Sequence, residues 1–205
     1  MSDLTDFITR VYEMTSAEIA DMTDAILDGR KRAWVNSVEN ELRQLGCTQK
    51  AKAPSGSDLS DLRRQSRQDA EGIANTYNRD LRRIVETLYA ANPRGNQRYY
   101  TSNLDIWARE RESWKSRQIA LNTEQTASYS ARVQFRKVNN VTGGRYIYDG
   151  PAPVGPICVR RFGMGVVTWS VVQNEETPAH PNCPHSWKEI EAPKRVATCE
   201  ELWVG

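Results

Sequence analysis

The six residues Asn139-Asn140-Val141-Thr142-Gly143-Gly144 constrain this 205-residue chain more than any others, because one kind of sequence ends there and another begins. Ahead of them, apolar residues recur at helical spacing from residue 15 to residue 138. Behind them, short β-type runs alternate with Pro- and Gly-rich turns, and no helix of normal length fits. The chain therefore reads as α+β: long antiparallel α-helices over residues 1–140, then a small β-rich, loop-rich module over 141–205.

Thr15-Ser16-Ala17-Glu18 has the form of a capping box and opens a first predicted helix over residues 15–45. Its apolar stripe is Ile19, Met22, Ile26, Leu27, Ala33, Trp34, Val38, Leu42 and Leu45, and Gly46 is its expected stop. A polar loop with Pro54 and Gly56 leads to a second helix over 58–91, in which the run 63–69 is almost wholly polar and reads as exposed or facing a partner. Asn92-Pro93-Arg94-Gly95-Asn96 is a turn, since Pro93 blocks continuation and Gly95 tolerates positive φ. A third helix is expected over 102–138, with Leu104, Trp107, Trp114, Ile119, Ala120, Ala127, Ala131 and Phe135 among its apolar positions. Short turns between helices imply antiparallel packing, and the long apolar stripes need partner helices or another subunit.

Charge is unevenly placed: residues 51–140 hold 16 Lys+Arg against 10 Asp+Glu, whereas residues 1–50 hold 6 against 9 and residues 141–205 hold 6 against 7. The basic stretch is mostly arginine and invites a DNA-binding reading for residues 63–83. Its arginines alternate with acids, as in Asp80-Leu81-Arg82-Arg83 and Arg109-Glu110-Arg111-Glu112, which is the pattern of an exposed, locally ion-paired face. No apolar run is long enough to span a membrane, and the acidic start lacks the features of a secretory signal. Four cysteines at 47, 158, 183 and 199 are too irregular for a disulfide framework. A reducing compartment during folding is the natural inference, with Cys47 and Cys199 as packing residues.

His180-Pro181-Asn182-Cys183-Pro184-His185 holds both histidines of the chain beside one cysteine, on a loop stiffened by two prolines. Gly155-Pro156-Ile157-Cys158 is expected to be a turn that presents Cys158 just before a strand. Cys158, His180, Cys183 and His185 would together make a closed four-ligand shell for zinc, structural because no position is left for water. The competing reading is a proline-rich turn with hydrogen-bonded histidines and buried thiols. An enzymatic reading pairs His180 or His185 with Asp149 or Glu176 as acid and base, as in a metal-dependent nuclease or other hydrolase, and no second acidic cluster or nucleophile stands in register with them. The chain is therefore not expected to be an enzyme.

The order of these pieces resembles the C-terminal region of the Mu F-type minor head proteins of tailed phages. The resemblance runs over residues 105–190: a helix with Ile119-Ala120-Leu121-Asn122-Thr123-Glu124, a Gly-containing turn, a strand, the Pro156-Ile157-Cys158 knuckle, and the His180-Pro181-Asn182-Cys183 loop. The family's first knuckle cysteine falls at Gly155 and the last cysteine of its closing loop at His185. The resemblance implies a virion structural protein, made in the host cytoplasm and carried in the head as one part of a multi-subunit assembly. Its implied partners are the portal or the major capsid protein, with packaged DNA contacted non-specifically and no membrane.

Overall fold

The fold was analysed on a computed structural model that describes residues 3–153, 155–175, 183–194 and 197–204, without the side chains of residues 3, 4 and 111–121. The elements run α1 (Asp3–Tyr12), α2 (Ser16–Gln44), α3 (Gly56–Ala91), α4 (Gln97–Val138), β1 (Thr142–Asp149), α5 (Pro156–Gly163), β2 (Val167–Thr168), the single turn α6 (Trp169–Val172), β3 (Ser186–Lys194) and a 3-10 turn (Cys199–Glu201). Long helices followed by a small antiparallel sheet with short helices is the expected α+β class. The expected apolar positions Trp114, Ile119 and Ala120 have side chains outside the description.

Local chemistry sets the helix ends. At the start of α2 the Thr15 hydroxyl accepts the Glu18 N–H at 3.2 Å and the Glu18 carboxylate accepts the Thr15 N–H at 2.7 Å, the two halves of a capping box. Hydrogen bonds donated by the Thr15 backbone N–H, the larger effect, and by the Thr15 hydroxyl hold the Glu18 carboxyl below its usual range. At its other end Gly46 takes φ 74°, its N–H bonding Arg43 O while the Cys47 N–H bonds Leu42 O, a Schellman stop. Asn140 does the same for α4 at φ 51°, with the Val141 N–H on Arg136 O at 2.9 Å. Helix α4 begins five residues before the sequence-based expectation because Asn96 is its cap, accepting the Tyr99 N–H on Oδ1 at 3.0 Å.

By its internal contacts the chain forms two compact units, Met1–Leu27 with Arg63–Arg117 and Asp28–Leu62 with Gln118–Gly205. Stretches of α2, α3 and α4 belong to the same unit as the sheet.

In the first unit, Ile8, Leu81, Val85, Tyr100 and Leu104 form a core from α1, α3 and α4. Helix α1 was not foreseen from the sequence. It is anchored by Tyr12 Oη on Asp105 at 2.7 Å, by Arg82 on Glu13 at 2.6 Å, and by the Met14 N–H just past its end on Asn78 Oδ1 at 3.0 Å. The polar run 63–69 is not uniformly exposed: Ser66 is fully buried, while Arg67 pairs with Glu71 at 2.8 Å.

In the second unit, α2 and α4 meet on small side chains that let their backbones approach. Ser37 Oγ donates to Ser128 O at 2.8 Å, beside buried Ala33, Ala127 and Ala131. Glu41 of α2 lies against Arg132 (2.8 Å) and Arg136 (2.7 Å) of α4, and Arg136 also reaches Glu189 of β3 at 3.1 Å. Tyr146 Oη donates to the same Glu189 at 2.9 Å, and the Arg136 guanidinium stands 4.3 Å over the Trp169 ring. Two arginines of the basic stretch, buried Arg136 and partly buried Arg132, are thus held in structural ion pairs.

The sheet order is β2-β1-β3, all antiparallel, with Tyr148 opposite Trp187 and Tyr146 opposite Glu189. Strand β1 alternates as period 2 demands, Tyr146 and Tyr148 inward and Arg145 outward. Of the apolar, β-branched residues over 165–172, only Val167–Thr168 pairs as a strand before the chain turns helical. Helical spacing brings both Trp169 and Val172 into the core, whereas strand spacing would send them to opposite faces.

The cysteines 47 and 199 are not the separate packing residues expected: they form a disulfide, with Cα atoms 5.6 Å apart and a sequence separation of 152. The reducing-compartment inference rested on unpaired thiols and loses that support. The bond clamps the C-terminal strap, which also places Val204 O on the Lys52 N–H at 2.8 Å and Trp203 on both amide atoms of Asn139.

Candidate metal centre

The Cys158 segment is not a turn before a strand. Pro156 opens α5, where its missing N–H is not needed, and Cys158 lies in the first turn of that helix with its side chain buried. Cys183 and His185 come from the segment that enters β3. These two elements bring together the thiols of Cys158 and Cys183 at 3.6 Å and place Cys183 Sγ 3.4 Å from His185 Nδ1. All three residues are buried, and their donor atoms lie within 4.8 Å of one another. His180 and Glu176 lie outside the described residues.

The donor set fits a metal. Two thiolates bound to one zinc at about 2.3 Å in tetrahedral geometry stand about 3.8 Å apart, and a thiolate and an imidazole nitrogen about 3.5 Å apart. The two measured separations are close to these edges. The far side of the imidazole is arranged as a ligand requires, since Nε2 donates to Pro151 O at 2.7 Å and leaves the Nδ1 lone pair facing the sulfurs. The buried Cys158, Cys183 and His185 group could therefore hold a metal such as zinc.

Electrostatics separate the two thiols. Burial pushes Cys158 up, and the neighbouring Cys183 adds to it. Burial also raises Cys183, but hydrogen bonds from the Tyr148 hydroxyl, the His185 backbone N–H and the charged form of the His185 ring outweigh burial and bring it down to about 6. Burial disfavours the charged imidazole of His185, yet the Pro151 carbonyl and Cys183 raise its pKa overall.

Around the cluster Tyr148, Phe162 and Trp187 pack ring against ring, with Tyr148 stacked on His185 at 5.5 Å. Gly150 is required by this packing: a Cβ there would overlap Cδ2 of the His185 ring, and the backbone holds φ 152°. Gly150→Ala is expected to displace the imidazole and lower the unfolding free energy by about 1–3 kcal/mol. Urea denaturation checks this, and an unchanged midpoint would show that the ring moves without penalty.

Of the two acids expected to serve His180 or His185, only Asp149 is among the described residues, and it does not face His185. Asp149 pairs with Lys188 at 3.6 Å at the end of the central strand β1, while His185 bonds the Pro151 carbonyl. Sequence reasoning did not single out Tyr148, Arg161 or Glu175, all of which stand behind the thiols.

No family model, no curated protein and no solved structure matches this chain. No helix among the described residues is long and apolar enough to cross a membrane.

Proposed function

We propose that this chain is a structural component of a tailed-phage head, of the Mu F minor head kind, contacting the portal or the inner capsid. In this reading a zinc ion on Cys158, Cys183 and His185, with His180 as fourth ligand, closes the sheet module. One observation supports the reading most: the two motif segments on which the family likeness rests, far apart in sequence, meet with their sulfurs 3.6 Å apart. When bound, the ion would supply folding free energy to a small module, and its shell would hold no position for a reacting water.

Exposed apolar side chains add support for assembly. Phe7 and Val11 are 55% and 62% exposed one turn apart on α1. The DNA-binding alternative draws less support, because Arg67, Arg82, Arg132 and Arg136 are all ion-paired and Arg136 is buried.

The test combines metal analysis with sedimentation. Purified protein is expected to carry one zinc per chain and to co-sediment with portal rings or capsid shells. Absence of association with either would remove the assembly role. A folded Cys183→Ala variant that loses a phosphodiesterase activity present in the parent would replace it with the hydrolase reading.

A further inference from the structure

Behind the thiols lies a run of polar groups, leading from exposed Arg160 to buried Arg161 and Tyr148, that no ligand count requires. Glu175 is gripped by Arg160 through two hydrogen bonds, at 2.7 and 2.6 Å, and accepts Arg161 Nε at 2.9 Å. The Arg161 side chain is only 2% exposed. Its Nη1 donates to Tyr148 Oη at 3.5 Å, and its guanidinium sits 5.4 Å from the centre of the Tyr148 ring. Tyr148 Oη in turn lies 3.3 Å from Cys183 Sγ and 4.0 Å from Cys158 Sγ.

The direction of the hydrogens follows from the donor inventory. A guanidinium only donates, so the tyrosine oxygen accepts from Arg161 and its own proton is left to point elsewhere. The nearest acceptor is Cys183 Sγ. We propose that Tyr148 is a positioning residue of the metal centre: its hydroxyl donates to the Cys183 sulfur and is held there by Arg161 and Glu175, so that the relay tunes the donor strength of that one thiolate. The proposal rests on the zinc reading given above.

The physical consequence is an inequality between two chemically identical ligands. Negative charge on Cys183 is drawn toward the hydroxyl, while Cys158, farther from it, keeps more of its own. Burial makes this matter, since no water is available to replace the missing donor if Tyr148 is altered.

Tyr148→Phe in the full chain keeps the ring that packs on Phe162, His185 and Trp187 and removes only the hydroxyl. Zinc stoichiometry is expected to stay at one while affinity, measured by competition with a chromophoric chelator, falls by about 10–100-fold. Packing changes alone could weaken binding, so the deciding readout is spectroscopic. In the cobalt-substituted protein, loss of the hydrogen bond raises the sulfur lone pair and moves the thiolate-to-cobalt charge-transfer band to lower energy. Glu175→Gln, which leaves every cluster residue in place, is expected to move the band the same way by less, and it carries the test if the phenylalanine variant does not fold. An unmoved band in the variants overturns the proposal. So does complete loss of metal in a folded Tyr148→Phe, which would make Tyr148 a ligand. A parent protein that binds neither zinc nor cobalt fails one step earlier and removes the zinc reading itself, and the relay's role with it.

Discussion

Reduction of the Cys47–Cys199 disulfide is expected to lower the unfolding free energy by up to about 5 kcal/mol, the entropy of closing so long a loop in the unfolded chain. The native bonds near it do not depend on the sulfurs: Lys52 still meets Val204, and Asn139 still meets Trp203. The loss therefore falls mainly on the unfolded state, which gains freedom, and residual structure there would shrink the effect toward about 2 kcal/mol. Urea titration of the Cys47→Ser/Cys199→Ser variant against the parent measures this without a reductant reaching Cys158 and Cys183. Coincident curves would show that the bridge contributes nothing to stability.

Replacement of Glu41 by alanine is expected to destabilise the sheet-bearing unit by about 3–5 kcal/mol, the scale found when one member of a buried ion pair is removed. Glu41 and Arg136 are each 1% exposed, and Arg132 shares the same carboxylate. Glu189 cannot take over fully. Burial raises its carboxyl above the usual range despite the Tyr146 hydroxyl and the two arginines, so its negative charge is disfavoured where it stands. A double replacement, Glu41→Leu with Arg136→Met, is expected to recover much of the loss, because it removes a buried charge on each side of the pair. Thermal unfolding of the single and double variants separates these cases. A double variant no more stable than Glu41→Ala would show that the network supplies shape as well as charge.

What could be read from the sequence was whatever acts within a few residues. The capping box at Thr15 and Glu18 and the glycine stop at Gly46 are local devices, and the end of α2 was correctly placed by them. Helix α1 was missed because its ten residues are held by Asp105, Asn78 and Arg82, none of which its own sequence announces. The helical turn at Trp169–Val172 was missed for a related reason, as β-branched residues favour a strand until a core needs positions three apart to face one way. Pairing of Cys47 with Cys199 was beyond reach, since separation in sequence carries no information about which thiols meet. Cys158, Cys183 and His185 were legible because soft donors on proline-bounded segments have few other uses. Arg161 and Glu175 were not, because in sequence a buried ion pair looks the same as a pair on the surface.

Strand β3 lies at an edge of the sheet, and among the described residues it pairs only with β1. An open edge invites a second chain to add a strand, which is the first step of fibrous aggregation. This one is poorly suited to recruit one. Lys188, Glu191 and Lys194 are exposed along its nine residues, and Pro193 removes a donor from its backbone. Charges and a proline at an edge both discourage such growth, so concentrated protein is expected to stay dispersed unless Ile190, half exposed on the same strand, finds an apolar surface to cover it.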